Sequence, residues 1–292
     1  MSAGRAGRSA AACRAGSIAA LAALLLGGCS TPGGAPTPAA PPPASSRPSP
    51  SRVHSAAQGQ VLRVDLPRSS FGRYGRYSIY LPPGYDQHPG RRYPVVYLLH
   101  GATERDRFFL ELGVREAMDR LLSDGAIGAM ILVMPDGGPF FRGEGVSARS
   151  FVDFFASELV PAVDRRWRTA PDRTARAVGG ISLGGLRALE IAAAHPDQFV
   201  AAGGHSAALS RASARTLAPS LAQGDVRVWL DVGERDGLVA GGQALADALT
   251  RRGDDVALQL GPGGHERPYW TAHLAEYLRF YSDSVDARAR AR

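Results

Sequence analysis

Cysteine is almost missing from this chain. Cys13 and Cys29 are the only two in 292 residues, and both precede the part that reads as folded. A disulfide framework and a thiol nucleophile are therefore excluded from that part. No acidic residue occurs in the first 28 positions, and the apolar run there, Ile18 to Leu26, is too short to span a bilayer as a helix. Clustered positive charge is scarce as well. The formal charge is +7, and it is spread along the chain apart from Arg288-Ala-Arg-Ala-Arg292, which reads as a solvated end. Nothing here resembles a nucleic-acid footprint.

The first 28 residues do carry Arg5, Arg8 and Arg14, then the apolar run, then Leu26-Gly27-Gly28-Cys29. This order predicts a signal peptide, and its end resembles a bacterial lipobox in which Cys29 is lipidated and becomes the mature N-terminus. The protein is then expected outside the cell, lipid-anchored to the outer face of the cytoplasmic membrane; secretion after ordinary cleavage is the alternative. Residues 29–58 are rich in Pro, Ser and Ala with no apolar period to bury, and read as a linker. Residues 59–283 remain as one catalytic domain, followed by a basic tail, 284–292. That domain is long enough for a substantial core without staples.

Two stretches, Val61 to Leu66 and Tyr74 to Leu81, alternate as half-exposed antiparallel strands do. Pro94 to Leu99 and Met130 to Met134 are continuous apolar runs, the mark of strands covered on both faces. Val114, Met118, Leu121 and Leu122 share a helical face, and Phe151 to Val163 form another helical stripe in which Pro161 predicts a kink. Further strands are expected before Ser182, at 199–203, 226–231 and 256–260, with helices around 243–251 and 268–281. Ala207 to Gly224 has no clear period and reads as a small excursion over the site. The expected fold is α/β: a mostly parallel eight-stranded sheet, helices on both faces and a minimal cap.

The chemistry centres on Gly180-Ile-Ser182-Leu-Gly184, placed between a strand pattern and an Ala/Leu-rich helix pattern. A nucleophile elbow needs glycines on either side of a serine whose backbone is strained. Two later strand ends carry the partners such a serine requires. Asp236 lies in the turn after strand 226–231, with Glu234 as the alternative acid, and His265 lies in the glycine-rich turn after strand 256–260. Serine, acid, histidine is the chain order expected when neighbouring loops serve an elbow serine. The imidazole takes the hydroxyl proton, and the carboxylate orients the imidazole. The amides of Leu183 and Ala102 are the expected oxyanion donors. His100, Gly101, His205 and Trp270 are candidates for a substrate pocket. No metal or cofactor is called for.

Several motifs occur together and in order. They are Leu81-Pro-Pro-Gly-Tyr85, Tyr93-Pro-Val-Val-Tyr-Leu-Leu-His-Gly101, Val133-Met-Pro-Asp-Gly137, Glu158-Leu-Val-Pro161, Gly179-Gly-Ile-Ser-Leu-Gly-Gly185 and His195-Pro196. Gly233-Glu-Arg-Asp236, Gly263-Gly-His265 and Tyr269-Trp270 complete the set. Over about 60–283 the chain resembles the esterase D / feruloyl esterase / enterochelin esterase-like branch of the α/β-hydrolases. The resemblance implies a serine carboxylic-ester hydrolase with Ser182, Asp236 and His265 as triad, acting on a small-molecule, glycan or siderophore ester. Glu266 stands where that family often has Asp. Acyl transfer to a sugar hydroxyl, as in mycolyltransferases, is the alternative. A non-catalytic binding protein on the same scaffold would predict a broken triad.

Overall fold

Residues 58–66, 69–141 and 148–290 are described by a computed structural model. The leader, Cys29 and the linker up to residue 57 lie outside the described residues, as do 291 and 292 of the tail. The described residues fall in one unit, Val53–Arg292, and contain no helix long and apolar enough to cross a membrane.

The alternating stretches form β1 (Gln60–Asp65) and β2 (Arg76–Leu81), paired antiparallel; β2 is not half exposed as its pattern suggests but buried on both faces, because it lies inside the sheet between β1 and β4. The apolar runs form β3 (Val95–Leu99) and β4 (Ile131–Asp136). They are followed by β5 (Arg176–Ile181), β6 (Ala201–His205), β7 (Arg227–Gly233) and β8 (Val256–Gly261). The eight strands lie in the order β1-β2-β4-β3-β5-β6-β7-β8, and every pairing from β4 onward is parallel.

Continuous apolar runs need cover on both faces, because neighbouring side chains point opposite ways. Val95, Tyr97 and Leu99 join one core, while Val96 and Leu98 join the other. The first core is closed by α2 (Ala148–Phe154), α3 (Val160–Arg166), α4 (Leu183–Ala194), α5 (Arg211–Gln223) and α6 (Val239–Thr250). The second is closed by α1 (Val114–Ser123) and α7 (Arg267–Arg290).

Three expectations need revision. The irregularity near Pro161 begins before it, as a π-helical turn at Phe155–Leu159 between α2 and α3. A proline ring collides with the carbonyl four residues back and offers no N–H, so the wider turn accommodates it. Second, Ala207 to Gly224 is not an excursion over the site: it contains α5, which packs beside α4 and α6. Its apolar stripe is only Ala214, Leu217, Ala218 and Leu221, too short and small to read as a period. Its start is fixed by reciprocal Ser210–Ser213 capping, where Ser210 Oγ accepts the Ser213 N–H at 3.0 Å and Ser213 Oγ accepts the Ser210 N–H at 2.8 Å. Third, the last helix does not stop near 281, ahead of the expected tail. It runs to Arg290, with Val285 still buried.

Register decides which strand ends meet. Leu99 pairs with Gly180, Ile181 with His205, His205 with Asp231, and Gly233 with Gly261. The loops after β3, β5, β6, β7 and β8 therefore leave the sheet side by side.

Phe155 is fully buried at the centre of the first core, with ring neighbours Tyr97, Phe151 and Phe199. Phe155→Ala should cost about 3–5 kcal/mol in urea unfolding. A loss below about 1 kcal/mol would mean that this core is not packed as described.

Candidate active site

The turn after β5 leaves no room for side chains. A Cβ on Gly184 would stand 2.1 Å from the Leu99 carbonyl oxygen, and one on Gly180 would stand 2.5 Å from Gly184 backbone. Both residues must be glycine for the strand, the helix and the neighbouring strand end to approach this closely. Ser182 sits between them at φ 58° and ψ −120°, a left-handed conformation rarely adopted by a residue with a Cβ. Neighbouring backbone holds it there. The Ser182 N–H donates to the His205 carbonyl at 2.9 Å, and the Ser182 carbonyl accepts from the Ala208 N–H at 2.9 Å.

Ser182 Oγ lies 2.9 Å from His265 Nε2, and His265 Nδ1 lies 2.8 Å from Asp236 Oδ2. A carboxylate can only accept, so its partner Nδ1 carries the proton and Nε2 offers its lone pair to the serine hydroxyl. The other oxygen of Asp236, Oδ1, accepts the Leu238 N–H at 2.9 Å. The Asp236 side chain is 1% exposed and that of His265 37%, so the carboxylate is shielded while the imidazole is open to solvent. Glu234, the alternative acid, points to solvent. The two loops are joined through their backbones: Glu234 N–H donates to Gly261 O and Arg235 N–H to Gly263 O.

The remaining candidates separate. Leu183 is the first residue of α4, where helix amides have no intrahelical acceptor. Gly101 passes beside the serine, since a Cβ there would be 3.8 Å from Ser182 Cβ, and Ala102 follows in the same loop. Trp270 stands edge-on to the His265 ring at 5.0 Å, and its Nε1–H donates to Ser206 Oγ at 3.1 Å. It is also buried in the second core, so it both packs α7 and backs the histidine.

His205 does not line a pocket. Its ring is fully buried in the second core, stacked on Tyr277 at 3.7 Å with Nε2 2.8 Å from the Tyr281 hydroxyl. Strand alternation sends its side chain beneath the sheet, leaving only its carbonyl at the serine. His100 likewise lies under its loop, 2% exposed, with its ring 4.6 Å from that of Phe141. Its Nδ1–H donates to Gly101 O at 2.7 Å and shapes the turn from within.

Supports with no local signature also appear. Asp106, buried in the loop after β3, accepts two bonds from Arg63 at 2.8 Å each and one from Ser78 at 2.9 Å. Asp231, buried at the end of β7, accepts from Tyr269 at 2.8 Å and Tyr277 at 2.6 Å and so anchors α7. Only charge in a loop and an acid inside a strand mark these positions in the sequence. Among the described residues no cluster of three or more His, Cys, Asp or Glu could hold a metal ion.

A family model described as putative esterase matches residues 69–281. An esterase of Mycobacterium tuberculosis is 38% identical over 136 residues, covering 44% of this chain and 28% of that protein. The diacylglycerol acyltransferase/mycolyltransferase Ag85A of Mycobacterium gordonae is 30% identical over 190 residues, covering 60% and 50%. A solved ferulic acid esterase is similar in structure with TM-score 0.69 and 26% identity, covering 77% of this chain and 98% of that one. The chain spans 20% and 28% of the length of the first curated relatives that it matches.

Two buried imidazoles under the site set an acid limit on stability. Burial pushes His205 down to about 3 and lowers His100. Below about pH 6.5 the unfolded chain binds protons that the folded one refuses, so stability falls as pH falls. Burial raises Asp231, which acts in the opposite sense but nearer the carboxylate range. The urea midpoint should drop from pH 7 to pH 5, and His205→Gln should lessen the slope by up to about 1.4 kcal/mol per pH unit. Equal slopes for the two proteins would show that His205 is not held neutral.

Proposed function

Because the chain belongs to the putative esterase family, we propose that it is a serine carboxylic-ester hydrolase working through an acyl-enzyme on Ser182. The observation that carries this reading is the unbroken relay from Ser182 Oγ to His265 Nε2, and from His265 Nδ1 to Asp236, at 2.9 and 2.8 Å. His265 removes the hydroxyl proton as Ser182 Oγ attacks the ester carbonyl. The new C–O bond places negative charge on the former carbonyl oxygen, and the amides of Leu183 and Ala102 receive it. The C–O bond to the alcohol then breaks, with His265 returning the proton to the leaving oxygen. Water, deprotonated by the same imidazole, repeats the sequence on the acyl-enzyme and releases the acid. Asp236 stays ionised and stabilises the imidazolium that forms in each half-reaction.

The substrate is a small-molecule ester or one carried on a glycan or siderophore. Similarity to a ferulic acid esterase favours an aromatic acyl group such as ferulate. Acyl transfer to a sugar hydroxyl is a second reading, favoured by the relationship to a mycolyltransferase over 60% of the chain. It needs the same acyl-enzyme and differs only in what replaces water. An intact relay also argues against a purely binding role on this scaffold. For the segments preceding the catalytic domain, the lipobox-like Leu26-Gly-Gly-Cys29 supports an exported protein tethered through Cys29, with 30–58 as spacer.

Residues 59–292 should hydrolyse p-nitrophenyl esters from acetate to palmitate, with an initial burst of nitrophenol when deacylation is slow. Ser182→Ala should lose about 10⁴-fold or more in kcat. Folded wild type that is silent on the whole series would overturn the hydrolase reading. Faster ester consumption on adding a sugar acceptor, with the acylated sugar as product, would replace hydrolysis by transfer.

A further inference from the structure

The proposed base and one of the proposed oxyanion donors stand on loops that leave different strands of the sheet. His265 follows β8, and Ala102 follows β3. One ion triad crosses the space between them. Arg267, two residues after His265, donates through Nη2 to Glu104 Oε2 at 3.0 Å and to Glu111 Oε2 at 3.1 Å. Glu104 is two residues after Ala102, and its N–H donates to Gly101 O at 3.2 Å, so it belongs to the same tight turn. Glu111 lies in the single helical turn Phe108–Glu111 that follows.

The triad also closes a ring of packed groups. The Arg267 guanidinium lies 5.2 Å from the centre of the Phe108 ring. Phe108 packs edge-on to Trp270 at 6.0 Å, and Trp270 packs edge-on to His265 at 5.0 Å. On the far side the loop is pinned by Asp106, buried against Arg63 and Ser78. Its Glu104 end is tied to the histidine loop by the Arg267 guanidinium.

We propose that Arg267, Glu104 and Glu111 form a strap between the two loops that holds the histidine loop and the oxyanion loop at their working separation. The proposal rests on the esterase reading and assigns Arg267 as a positioning residue for that chemistry. Partly exposed ion pairs contribute only about 0–1 kcal/mol to folding, so the strap is not a stability device. Catalysis is far more sensitive, since a misplacement of about 1 Å can cost about 100-fold. Charge acts in the same direction as geometry. Without Arg267, two carboxylates stand uncompensated near the loop that must receive the growing oxyanion.

The test compares wild type, Arg267→Gln, Arg267→Lys and Glu104→Gln on p-nitrophenyl acetate, with thermal unfolding and amide exchange of residues 101–107 measured on the same proteins. Arg267→Gln should lower kcat about tenfold and leave KM within about twofold, the pattern of lost transition-state positioning. Its unfolding midpoint should move by no more than about 3 °C, while exchange at 101–107 quickens. Arg267→Lys should regain part of kcat, since an ammonium keeps the attraction but not the planar fork. In about 1 M salt, where screening extends only about 3 Å, wild type should approach the Gln variant. An unchanged kcat, a loss confined to KM, or unchanged exchange at 101–107 would overturn the strap. A folded wild type with no turnover would sink the esterase reading and the catalytic role of the strap together. The exchange data would still tell whether Arg267 orders the opposite loop.

Discussion

The close approach of three backbone segments is the constraint on which the site depends. Gly184, in the first turn of α4, lies against the carbonyls of Leu99 and His100, and Gly180, next to the last residue of β5, lies against Gly184 itself. With no side chain between them, strand, turn and helix press together, and the serine at the apex has no relaxed conformation to adopt. Its positive φ is imposed by the hydrogen bonds of its N–H and carbonyl to His205 and Ala208. The strain places a hydroxyl clear of the sheet beside the first amides of a helix.

The sheet supplies the rest through register. Parallel pairing brings the ends of β5, β6 and β7 level, so loops far apart in sequence emerge as neighbours. Three buried acids then hold the surroundings of the site in different ways. Asp236 orients the histidine. Asp231 ties two tyrosines of α7 beneath it. Asp106 binds Arg63 of the edge strand and Ser78 of β2 to the loop after β3. Charged side chains leave water only when their oxygens are satisfied, and each of these is. The acids therefore act as fixed points to which the loop after β3, the histidine loop and α7 are tied.

The fold was largely legible because the relevant signals are local. Alternation marked β1 and β2, continuous apolar runs marked β3 and β4, and glycines around a serine marked the elbow. Turn residues after strands singled out Ser182, Asp236 and His265, which the fold brings within hydrogen-bond distance. The failures have a common cause. His205 was placed by its nearness in sequence to the sixth strand, but the face to which a side chain turns depends on register against both neighbours. The helix Arg211–Gln223 carries an apolar stripe too short and small to stand out as a helical period. The π-helical turn before Pro161 reflects how a proline is absorbed by its surroundings, which no single position declares.

Taken alone, then, the sequence determined the α/β-hydrolase class, the strained serine and the chain order of acid and histidine. These depend on residue type and short spacing, where sterics act within a few bonds. Tertiary structure alone decided that Asp236 rather than Glu234 faces His265, that His205 and His100 are buried supports, and that Arg267 meets Glu104 and Glu111. Those are contacts across 29 to 163 positions. Hydrogen bonds and ion pairs act over a few ångströms of space, and only the folded sheet turns such sequence separations into distances of that size.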